Sequence, residues 1–168
     1  LCAPEFLIQL QRLGPFLFEY DHCQRSPFWQ LLILHGFYYF FAISLLLFFF
    51  KSKKLFQTDY FILFLIILST LLILIPEFIY VKDIYPAHYR ANTMFKLVYQ
   101  AFIMLSLVSG YTLFRVLQQM KTGKGLKKIF IIFFLLLAIP LISLVLSYPV
   151  FAIYSYYENL TNKRSLDG

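Results

Sequence analysis

Apolar residues run in long, nearly unbroken blocks, and the polar positions gather between them. The first block, Leu31 to Phe50, is interrupted only by His35, Gly36 and Ser44 and stops at Lys51-Ser52-Lys53-Lys54. Tyr60 to Ile75 is the second, and it extends through Pro76 to Tyr80 if Glu77 sits near a water interface. A third runs from about Leu97 to Val116, with Lys96 at its entrance and Arg115 near its exit. The fourth, from Ile129 to about Ile153, carries Pro140 and Pro149, where a long helix tilts or kinks. A bilayer-spanning helix needs about 20 apolar residues, whereas a membrane barrel shows shorter alternating strands. The pattern therefore predicts an all-α, polytopic transmembrane helical bundle with four spans. It divides into an external interfacial segment at 1–30, a four-span region at 31–153 containing an external loop at 77–96, and an external tail at 154–168.

Composition excludes a water-soluble domain. Of the residues, 61% are hydrophobic and 14% charged, against about 25% charged in soluble domains. The net charge of +7 does not indicate nucleic acid, because the Lys and Arg residues lie in short loops where topology accounts for them. Lys51, Lys53 and Lys54, then Lys121, Lys124, Lys127 and Lys128, occupy two alternate loops that contain no acidic residue. Such loops stay cytoplasmic. The opposite face then receives Glu19, Asp21, His22 and Arg25, the 77–96 loop and the tail, with interfacial aromatics such as Phe28, Trp29, Tyr80 and Tyr154. Membrane lipids are the expected surroundings of the spans. A first residue Leu1 and an abrupt end at Gly168 read as an internal piece of a longer protein, so further spans are expected as partners. Cys2 and Cys23 can pair on an oxidising face or remain free thiols.

The candidate chemistry lies in the 77–96 loop. Glu77 and Asp83 offer carboxylates that can hold a divalent cation through oxygen or act as a general base, while Arg90 and Lys96 can hold a phosphate. Asn92, Lys96 and Gln100 recur at a spacing of four and share one helix face that descends from the interface. Such a stripe is costly in lipid unless it faces a cavity or a partner. Ser106, Ser109 and Gly110 suggest close packing or a continuation of that cleft. A structural reading accounts for the same residues: Lys96 snorkels, Glu77 pairs with Lys82, Asn92 caps a helix and Gln100 bonds a neighbour. His35 reads as a packed histidine, Asp21-His22-Cys23 has no zinc-ligand spacing, and Asn159-Leu160-Thr161 is a formal glycosylation sequon.

The run "EFIYVKDIYPAHYRANTMFKLVYQAF" resembles the signature of the "YYY" family of large prokaryotic polytopic membrane proteins, chiefly through Arg90, Asn92, Thr93, Phe95, Lys96 and Gln100. The tail, ending in Leu166, Asp167 and Gly168, resembles a further segment of that family, although Tyr156-Tyr157 is a doublet where the family name implies a triplet. The resemblance covers roughly residues 30–168. It implies a likeness to membrane-embedded glycosyltransferases that take sugars from polyprenyl-phosphate donors at the external face. In such an enzyme Arg90 and Lys96 neutralise the departing donor phosphate, with Asn92 and Gln100 beside them, and Asp83 or Glu77 binds a metal or accepts the acceptor's proton. A transporter or lipid flippase, with the polar stripe lining a substrate path, is the alternative; a noncatalytic assembly subunit is a third.

Overall fold

The computed structural model describes residues 9, 12–13, 16–17, 25–50, 55–81, 90–120 and 125–157. Among them, four helices carry the fold: α1 (Phe28–Phe50), α2 (Gln57–Phe78), α3 (Ala91–Gln118) and α4 (Leu126–Tyr157). All four are long and apolar enough to cross a membrane. Every helix begins before its apolar block, because backbone hydrogen bonding continues into the interface where polar side chains are tolerated. A two-rung antiparallel ladder joins β1 (Arg12–Leu13) to β2 (Phe16–Leu17), which no alternating pattern in the sequence announces. The architecture is otherwise all-α, as the block pattern predicts.

Residues up to Arg115, and hence α1, α2 and most of α3, form one compact unit. Its core gathers Ile73 of α2 with Ala101 and Leu105 of α3, against Leu31, Tyr38, Tyr39 and Leu72. The small Ala101, fully buried, lets helix surfaces approach where a larger residue would hold them apart. Several hydroxyls in the spans satisfy themselves locally. Ser69 and Thr70 donate to the Ile66 carbonyl, Ser109 to that of Leu105 and Thr112 to that of Val108, so these hydroxyls need no solvation by lipid. Tyr39 adds an interhelical bond of 3.0 Å to Thr70 Oγ1.

Two faces divide α3. Ala101, Leu105, Val108, Thr112 and Arg115 recur at helical spacing and are buried, whereas Asn92, Lys96, Gln100, Ser106 and Gly110 are exposed. Among the described residues of this unit no atom lies within 4 Å of a Cβ added at Gly110, and of Ser106, Ser109 and Gly110 it is Ser109 that turns inward. The second unit, from Val116 onward, contains α4. This helix runs through Pro140 and Pro149 and is apolar all round after its first turn, with exposed Leu144, Leu146, Val150 and Phe151, as suits a helix with lipid for solvent.

Candidate functional site

Two clusters of charge stand at opposite ends of the first unit, and each joins consecutive helices α2 and α3. The first lies at the start of α2. Asp59, in the first turn of α2, accepts the Phe56 N–H on Oδ2 at 2.7 Å, which satisfies a donor that the helix start leaves free. Tyr111 and Arg115, one turn apart on α3, reach the same carboxylate. The Tyr111 hydroxyl and Arg115 Nε donate to Oδ1, and Arg115 Nη2 donates to Oδ2 at 3.1 Å. The guanidinium also lies 4.6 Å from the Phe56 ring centroid and 6.0 Å from that of Phe48. Asp59 is 0% and Arg115 6% exposed. Burial of such a pair is tolerated because opposite charges cancel and both carboxylate oxygens are filled.

The second cluster closes the 77–96 end. Glu77, in the last turn of α2 and 6% exposed, accepts two bonds on one oxygen. The Ser26 N–H reaches Oε2 at 2.7 Å and Arg90 Nη1 reaches it at 2.6 Å. The second arm of Arg90 turns away to Ser26 Oγ at 3.0 Å. Glu77 Oε1 is buried and has no hydrogen-bond partner. Beside it the Arg25 guanidinium lies 4.8 Å over the Phe78 ring, and the Val81 N–H bonds Thr93 Oγ1 at 3.1 Å, tying the exit of α2 to the entrance of α3.

The structure thus brings Glu77 and Arg90 into direct contact, one as the other's counter-ion. Asn92, Lys96 and Gln100 do share a face, separate from that pair and exposed, over about 12 Å of helix at 1.5 Å per residue. Among the described residues none hydrogen-bonds or ion-pairs with them. An apolar groove runs along the same half of α3, lined by Met94, Phe95, Val98, Tyr99 and Phe102, with the Phe95 and Tyr99 rings stacked. Asp83, Lys82, His88, both cysteines, the Asp21-His22-Cys23 run, the sequon and the Leu-Asp-Gly end lie outside the described residues. Among the described residues no group of His, Cys, Asp and Glu is gathered for a metal.

Sequence reasoning did not foresee the Asp59–Arg115 pair, though its signal was present: two opposite charges at matching ends of consecutive spans. It missed Ser26 as well, a lone serine before α1 that carries no pattern.

Residues 47–105 match the family model described as an uncharacterized membrane protein (DUF2298). That segment runs from the end of α1 to the middle of α3 and includes Asp59, Glu77, Arg90, Asn92, Lys96 and Gln100, but neither Ser26 nor Arg115. It lies within the longer stretch over which the "YYY" resemblance was drawn. No curated protein and no solved structure matches the chain. The membrane-protein match and the four long apolar helices together make this chain an integral membrane protein.

Proposed function

We propose that the 77–96 end faces the outside of a prokaryotic cytoplasmic membrane and recognises a sugar linked to a lipid phosphate, as part of a glycosyltransferase-like enzyme. The observation that carries this reading is the free polar face of α3. Arg90 and Arg115 are each held by a carboxylate, but Lys96, with Asn92 and Gln100 above and below it, is exposed and bonded to no described residue. An uncommitted ammonium flanked by two amides suits a phosphate, and the aromatic groove on the same half of the helix suits the chain that carries it. In this reading Arg90 supports the site through Glu77. Asp83 and Glu77 remain the two candidates to accept a proton, Glu77 through Oε1 alone.

Replacing Lys96 with Gln keeps length and a donor but deletes the charge. A charge-assisted hydrogen bond of about 1.5–3 kcal/mol is lost, so turnover of a polyprenyl-phosphate sugar, or affinity for it, falls roughly tenfold to a hundredfold. Membrane insertion is unchanged. Equal rates at all donor concentrations, on equal amounts of folded Lys96→Gln and wild-type protein, would refute the proposal.

A further inference from the structure

The unpaired oxygen of Glu77 stands beside a serine hydroxyl that occupies an arginine. Asp59 and Glu77 each meet an arginine, Arg115 in α3 and Arg90 just before it, yet only Arg115 grips its carboxylate with two nitrogens, on Oδ1 and Oδ2. Arg90 gives one nitrogen to Glu77 Oε2 and the other to Ser26 Oγ, while Oε1 goes without a donor. A buried carboxylate oxygen left unpaired is costly, and the neighbouring Arg90 arm spends its strength on a neutral hydroxyl.

We propose that Glu77 Oε1 and Arg90 Nη2 form a binding site for the vicinal diol of a neutral saccharide, which the Ser26 hydroxyl occupies in the free protein. One ligand hydroxyl donates to Oε1; the oxygen of its neighbour takes the Nη2 arm from Ser26. Charge selects this ligand. Glu77 and Arg90 neutralise each other, and Arg25 over Phe78 adds a positive charge nearby, so a metal or ammonium ion is repelled, while a fully ionised oxyanion has no hydrogen to give to Oε1. A neutral O–H donor that also accepts fits both groups. The inference rests on the reading above only in assigning the diol to the sugar of the lipid-linked substrate.

The test uses the protein in lipid nanodiscs and the methyl glycosides of glucose, mannose and galactose as probes, with affinity from saturation-transfer NMR. At least one glycoside binds saturably, and its analogue lacking one of two adjacent hydroxyls binds about tenfold more weakly. Ser26→Ala removes the competing hydroxyl but keeps the backbone N–H on Oε2, so affinity rises about twofold to tenfold. Glu77→Gln places an amide NH2 where Oε1 stands, because Ser26 and Arg90 hold the carbonyl oxygen on the other side, and affinity falls at least tenfold. A gain of affinity in Ser26→Ala cannot come from misfolding. No saturable binding by any glycoside, no sensitivity to a missing hydroxyl, or an unchanged or weaker Ser26→Ala overturns the proposal. Binding of a long-chain alkyl phosphate reports separately on Lys96, so either site can fail without the other.

Discussion

Asp59 and Glu77 sit at opposite ends of one helix, each nearly sealed from solvent and each paired with an arginine, Arg115 within α3 and Arg90 just before it, yet they are served very differently. Asp59 receives four hydrogen bonds spread over both oxygens, from Phe56, Tyr111 and two nitrogens of Arg115. Glu77 receives two, both on Oε2. An ion pair in a medium of low dielectric is tolerable when every lone pair has a donor, and becomes a liability when one does not. The Asp59 cluster therefore reads as a finished fastening between α2 and α3. The Glu77 cluster is the same fastening left incomplete, at the end where the free polar face of α3 begins. Among the described residues Glu77 Oε1 is the one buried side-chain oxygen or nitrogen without a partner, whereas a purely structural pair gains by being complete.

Substitutions should separate the ends by size of effect. The largest is Asp59→Ala, which strands Arg115 among Phe48 and Phe56 with no counter-charge; unfolding in detergent should show a loss of about 3–5 kcal/mol. Glu77→Ala should cost less, about 1–2 kcal/mol in the same measurement, because Arg90 is 17% exposed, keeps Ser26 Oγ, and the unpaired oxygen is removed along with the paired one. Tyr111→Phe deletes one of four donors to Asp59 and should cost about 1 kcal/mol. Smallest is Tyr39→Phe, which removes only the neutral bond to Thr70 in the middle of the unit, about 0.5–1 kcal/mol. A Glu77→Ala loss equal to that of Asp59→Ala would erase the distinction between the ends.

Much of the fold was legible because lipid imposes a simple code: a block of about 20 apolar residues must become a helix. The four blocks gave the four helices, short of their ends, since hydrophobicity stops at the interface and backbone hydrogen bonding does not. The sharing of one face by Asn92, Lys96 and Gln100 was legible from helical period alone. Partner choice was not. Nothing in the spacing says that Arg90 takes Glu77 and Ser26, groups 13 and 64 positions away in the chain, because such pairing is set by which helix ends meet. Gly110 shows a related limit: small residues permit close packing, but they do not say whether a neighbour stands on that side.

Double-mutant cycles on the two pairs test the central comparison most directly, because each isolates the coupling between one carboxylate and its arginine. Asp59→Ala with Arg115→Ala, and Glu77→Ala with Arg90→Ala, would be measured by equilibrium unfolding in the same detergent. The account predicts a coupling energy for Asp59–Arg115 larger than that for Glu77–Arg90 by at least about 1 kcal/mol, as two-nitrogen contact with both oxygens filled demands. Equal couplings, or a stronger Glu77–Arg90 pair, would contradict it.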